Sequence, residues 1–172
     1  MAEIARAIAR RRVPLGFAAA GITLILAQPD WETWRAGVLV AAAGATVRVW
    51  AAGHLEKSRE VTRSGPYGWT GHPLYVGSGL VALGVVIASR SGAVAALTIT
   101  YMVVTIAAAI LTEEAFLRER FGEAYDRYRQ SRKEPTQRRF SVARAMRNRE
   151  HRAIAGIVAG FALLALKILA PL

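Results

Sequence analysis

The sequence predicts an all-α integral membrane fold, with about five transmembrane helices and further interfacial helices on the cytoplasmic side. Three observations carry the prediction. Hydrophobic residues make up 53% of the 172, yet the formal net charge is +11. The two properties are segregated, because runs of Ala, Val, Leu, Ile and Gly alternate with short Arg-rich connections, and about 20 apolar helical residues cross a hydrocarbon core of ~30 Å. The β-branched residues follow no period-two alternation and the runs are too long for barrel strands, which disfavours a closed barrel. So many continuous apolar runs exceed what a soluble globule of this length can bury.

The first run, residues 14–27, follows Arg6, Arg10, Arg11 and Arg12. That charged start resembles a signal-peptide n-region, but Gln28-Pro29-Asp30-Trp31 offers no small-x-small cleavage site, so the run reads as a first span. The second, residues 36–52, is interrupted by Arg48 and flanked by Trp31, Trp34 and Trp50, where aromatic belts form. The third and fourth, residues 74–88 and 92–112, are separated only by Ser89-Arg90-Ser91 and must form a tight antiparallel hairpin. The fifth is residues 153–169, and all five belong to one domain over residues 1–172.

Between spans four and five lie two polar stretches with helical periodicity. Leu117, Phe121, Tyr125 and Tyr128 recur on one helical face. Phe140, Ala143 and Met146 lie among Arg138, Arg139, Arg144, Arg147 and Arg149, the pattern of a helix resting on anionic lipid. Both read as interfacial helices.

The bias of Lys and Arg sets the orientation. One side collects the N-terminal arginines, then Lys57, Arg59 and Arg63, then the dense set from Arg118 to Arg152, whereas the other receives Arg35, Arg90 and Lys167. The N-terminus is therefore expected in the cytoplasm. Because the cations flank apolar spans, their expected partner is an anionic membrane surface, which attracts each by roughly 1 kcal/mol; nucleic acid is not expected. Cysteine is absent, which excludes disulfides, thiolate metal ligation and a cysteine nucleophile; no metal is expected. Gly156 and Gly160 form a GxxxG pair in the last span, compatible with packing inside the monomer or with a homodimer.

Ionisable groups at membrane depth are costly and mark function when they cannot reach water. The candidates are Arg48, His54, His72, Glu113 and Glu114. Arg48 is near enough to its span's cytoplasmic end to snorkel. The loop from Arg63 to Gly79 is unusually rich in Gly, Pro and aromatics. Gly65-Pro66 forces a turn, and His72-Pro73 keeps His72 extended ahead of the third span. Gly77 and Gly79 let a backbone or another group approach that helix closely, as helix packing or as part of a pocket edge, and the helix start near Leu74 is an available anion site.

Gly65-Pro66-Tyr67 followed by His72-Pro73-Leu74-Tyr75, and Glu113-Glu114 followed by Leu117, Phe121-Gly122, Tyr125 and Tyr128, form an ordered pair of elements. The pair resembles the signature of the isoprenylcysteine carboxyl methyltransferase and phospholipid methyltransferase superfamily. The resemblance implies S-adenosylmethionine, released as S-adenosylhomocysteine, in a region over residues 48–129 at the cytoplasmic face. It further implies a lipidic acceptor reaching the site sideways from the bilayer. By carry-over, Tyr67, His72, Pro73, Tyr75, Gly77 and Gly79 line the cofactor, Glu113 or Glu114 binds its cationic or ribose part, and Tyr125, Tyr128 and Arg129 close a lid. Arg48 matches the arginine kept near the acceptor, and Arg48, His72 and Glu114 are the catalytic candidates. One departure stands out: Gly71 occupies the position where the family usually has an arginine, so the cation for the cofactor carboxylate must come from elsewhere, with Arg63 and Arg118 as replacements.

Methyl transfer from a sulfonium is an in-line displacement in which the protein chiefly aligns donor and acceptor. An amine acceptor needs a base such as Glu114 or His72, whereas a carboxylate needs only placement, which Arg48 supplies by a bidentate pair. The expected function is N-methylation of an aminophospholipid or a similar lipidic acceptor in a bacterial inner membrane. The alternatives are carboxyl O-methylation of a prenylated acceptor and, from another enzyme class, an NADPH-dependent sterol-reductase-like activity.

Overall fold

A computed structural model describes residues 2–56, 62–123 and 138–170. These form six α-helices and one 3₁₀ turn, with no strand among them: α1 (Ala2–Leu26), α2 (Trp31–His54), the 3₁₀ turn (Gly65–Gly68), α3 (Pro73–Ser89), α4 (Gly92–Phe121), α5 (Val142–Arg147) and α6 (Glu150–Leu169). Helices α2, α4 and α6 are long and apolar enough to cross a membrane, while the apolar part of α1, Val13–Leu26, and α3 are shorter. The expected all-α membrane architecture is present.

The helices outrun the apolar segments that announce them. α1 begins at Ala2, so the arginine-rich start is itself helical and Pro14 lies inside the helix. α4 continues without a break through Glu113, Glu114 and Leu117 to Phe121; the first supposed interfacial helix is thus the end of α4, with Tyr125 and Tyr128 outside the described residues. The reason is physical: intrahelical hydrogen bonding continues into water wherever side chains permit, so hydropathy marks the membrane boundary and not the helix end.

α2 and α3 form the most closely packed pair, with glycine meeting glycine at two levels seven residues apart. A Cβ at Gly44 would come within 2.7 Å of the Gly77 carbonyl, and one at Gly84 within 2.5 Å of the Gly37 carbonyl. Lipid supplies no hydrophobic drive between helices, so backbones held together by small residues gain van der Waals contact instead. Ala41 and Ala88 continue this face into a core completed by Ala27, Phe161 and Leu164. α1 packs chiefly on α4, where the Tyr101 ring fills the space beside Gly16.

The α3–α4 hairpin turns at Arg90, which adopts φ 47°, and Ser91 caps α4 by accepting from the Val94 amide. The two helices then diverge, leaving an apolar cleft of about 230 Å³ beside Gly79, Leu83, Ile99, Met102 and Val103. At the same end of the bundle Asp30 caps α2 in a capping box with Thr33 and pairs with Arg90 at 2.8 Å. Lys167 donates to the carbonyls of Leu24 and Ile25 at 2.7 and 2.9 Å, satisfying the C-terminus of α1. Gly156 and Gly160 have open space where a Cβ would stand, so neither packs within the described residues.

Candidate functional site

The opposite end of the bundle gathers the ionisable residues that the sequence singles out. It is built first by the loop leaving α2. His54 is buried, its Nδ1 3.1 Å from Ser64 Oγ. Gly65 adopts φ 57°, and a Cβ there would sit 2.7–2.8 Å from the His54 ring. Only glycine therefore makes this turn at this distance, and His54 serves as the post on which the loop is wound. The turn buries Pro66 and Tyr67 and delivers His72 as the N-cap residue of α3.

His72 makes no side-chain capping bond. Its ring stacks on Tyr75, centroids 5.7 Å apart, and lies between the two adjacent carboxylates of α4: Nδ1 is 3.9 Å from Glu113 Oε2 and Nε2 3.7 Å from Glu114 Oε1. Tyr75 completes the group by donating its hydroxyl to Glu113 Oε2 at 3.0 Å. The two sequence elements, 38 residues apart, meet in space. Glu113 lines the adjoining cavity, whereas Glu114 flanks His72 from the other side.

Arg48 forms the other pole. It does not snorkel outward: Nε and Nη2 donate to the two carboxylate oxygens of Glu150 at 2.7 and 3.1 Å, and Nη1 donates to Ser78 Oγ. Glu150 is only 5% exposed. Gly77 is what admits the arginine, since a Cβ there would approach Arg48 Cγ to 2.6 Å; its place is in the α2–α3 seam. Gly79 lies away from the cavity, in the α3–α4 cleft.

Between the poles opens a cavity of about 580 Å³, bounded by α2, α3, α4, the Gly-Pro-rich loop and the start of α6. Arg48, Tyr67, His72, Pro73, Tyr75 and Glu113 all line it, and its size falls in the range of small-molecule sites. Tyr125, Tyr128 and Arg129 lie outside the described residues.

Sequence reasoning missed the segment that brings Glu150 to Arg48. Around α5, Arg144 donates to Glu56 at 2.8 Å and to the Gly53 carbonyl at 2.5 Å, Asn148 donates to the carbonyls of Ala52 and Leu55, both at 2.9 Å, and Phe140 covers Gly53. This segment packs onto the end of α2 as well as exposing Val142 and Met146. Hydrogen bonding to Arg144 holds the Glu56 carboxyl below its ordinary value, and the charges of Arg144 and Arg147 act in the same direction. The sequence sets Glu150 apart only as the one acidic residue between Arg138 and Arg152, which does not point to Arg48 as its partner.

A family described as phospholipid methyltransferase matches residues 19–124, a span that holds Arg48, the His72 loop and both α4 carboxylates. Curated proteins and solved structures give no match.

Proposed function

Because the chain belongs to the phospholipid methyltransferase family, we propose that it is an S-adenosylmethionine-dependent methyltransferase of the membrane whose acceptor is a lipid amine. The observation that carries this reading is the cavity, with an aromatic and acidic wall at one pole and a fixed guanidinium at the other. The residues present suit the cofactor: Glu113, Tyr75 and Tyr67 offer the acidic and aromatic surface that a ligand cation favours. When bound, S-adenosylmethionine supplies an electrophilic methyl group on a sulfonium. The chain's part is to exclude water, hold the acceptor in line, and take the proton that an ammonium headgroup must lose before it becomes a nucleophile. His72, set between two carboxylates, is the base in this reading, and Glu114 stabilises the imidazolium it becomes.

Carboxyl O-methylation is the weaker alternative. A carboxylate acceptor would have to compete with Glu150 and Ser78, which already engage all three nitrogens of the Arg48 guanidinium. The reductase alternative has no feature of the cavity in its favour.

In this reading five apolar helices cross the membrane, with the cavity at the cytoplasmic face of a bacterial inner membrane. The exposed cations around α5 meet anionic lipid, and the open face at Gly156 and Gly160 meets a second copy. The chain has no cysteine, so single cysteines placed at Arg63 and Arg90 report the sidedness directly: labelling of both from the same side contradicts it. The function itself is tested by thermal unfolding of the detergent-purified protein, since a ligand of the native state raises Tm. S-adenosylmethionine and S-adenosylhomocysteine should stabilise it and NADPH should not, and Glu113→Gln should weaken the effect. Stabilisation by NADPH alone would move the protein to the reductase class.

A further inference from the structure

We infer that Glu150 is a positioning residue that fixes the Arg48 guanidinium in the cavity wall, and that residues 138–149 form the clamp that delivers it. The inference rests on the methyltransferase reading above. All three nitrogens of the Arg48 guanidinium are engaged. Glu150 takes Nε and Nη2; Ser78 accepts from Nη1 while giving its own hydroxyl proton to the Leu74 carbonyl at 2.8 Å, which fixes the direction of that contact. Gly77 leaves room for the arginine stem and no more. Three helices thus hold one guanidinium, and it faces a cavity lined also by Glu113.

The clamp is anchored on the end of α2 and borders the cavity, which Asn148 and Glu56 also line. Arg144 and Asn148 satisfy carbonyls of the last turn of α2, groups that a helix C-terminus leaves without intrahelical partners. The Ser141 amide also donates to Gly53, at 3.1 Å. Arg149 then takes a left-handed conformation, φ 61°, rare for a side-chain-bearing residue, and Glu150 follows as the first residue of α6. The bend directs the carboxylate to Arg48.

An ion pair serving stability alone works with either polarity. Here polarity matters, because the cavity offers Arg48 a second carboxylate. Without Glu150, Coulomb attraction draws the flexible guanidinium toward Glu113, where the cationic end of the cofactor is to bind. Glu150 keeps the two apart.

The test uses the full-length protein in detergent micelles, S-adenosylmethionine as donor and phosphatidylethanolamine as acceptor, with kcat, KM and Tm measured together. Glu150→Gln should lower kcat by roughly tenfold to a hundredfold, the scale of a misplaced group in the site, and raise KM for S-adenosylmethionine, because the released guanidinium competes with the cofactor's cationic end for Glu113. Glu150→Asp, which keeps the charge and is the milder perturbation of folding, should lower kcat less. The swap Arg48→Glu with Glu150→Arg should recover Tm but not kcat, because the guanidinium then projects from the wrong helix. The inference is overturned by a Glu150→Gln protein, or a Glu150→Asp protein if the former does not fold, that is kinetically unchanged, and equally by a swap that regains both Tm and kcat. A wild-type protein that neither transfers methyl groups nor is stabilised by S-adenosylhomocysteine refutes the reading beneath, and the inference with it.

Discussion

The two ends of the helix bundle use charge in opposite ways. At the end formed by the α3–α4 hairpin, Asp30 closes the N-terminus of α2, Arg90 pairs with Asp30, and Lys167 binds the final carbonyls of α1. Each group there finishes a helix. At the other end Arg48, Glu150, His72 and Glu113 are brought together from four helices and face a cavity. The difference distinguishes structural polarity from functional polarity in a small membrane protein: the first satisfies backbone locally, the second holds side chains across open space at a cost in desolvation.

Substitutions should separate these roles. The largest effect is expected from Gly77→Val, which touches both: the added side chain meets the Gly44 backbone and the Arg48 stem, and overpacking of this kind costs about 1–3 kcal/mol or more. The measurement is Tm together with S-adenosylhomocysteine binding, and both should fall. Lys167→Met should break the comparison at the other end. Losing hydrogen bonds from a charged donor costs about 1.5–3 kcal/mol, so Tm should drop while ligand affinity stays at the wild-type value; a loss of affinity would mean that the ends are coupled. The smallest effect is expected at Glu56. Its folded pKa lies below the ordinary 4.5, so its stabilising contribution is complete above 4.5 and drains away as pH falls through the lower folded value. Glu56→Gln should therefore be less stable than wild type near neutrality and converge with it in acid, as read from denaturation midpoints at successive pH values.

Much of this arrangement is legible in the residues. The apolar runs give the helices, and Ser89-Arg90-Ser91 gives the hairpin. The Gly-Pro-rich loop and the paired carboxylates give the pole at which His72, Tyr75 and Glu113 meet. These signals are local or carried by motifs. The contact between Arg48 and Glu150 spans 102 residues, and no periodicity connects the two; a carboxylate inside an arginine-rich stretch reads as a surface charge until the fold shows it buried. The same holds for Gly77, whose small size allows approach by a backbone or by another group and which the fold shows to admit both the Arg48 stem and the backbone of α2. Gly37 and Gly84 repeat the pattern one heptad away, a spacing visible in the sequence but meaningful only once the two helices are known to be antiparallel neighbours.

The distance between Arg48 and Glu150 along the chain has a consequence in time. A ribosome completes α2 long before it reaches α6, so the arginine enters the nascent protein with 102 residues still to be made before its carboxylate exists. Until then the guanidinium must be kept by water, lipid headgroups or the insertion machinery. The cavity acquires its Arg48–Glu150 pair only when α6 arrives, so the site stays incomplete through the synthesis of every helix between α2 and α6.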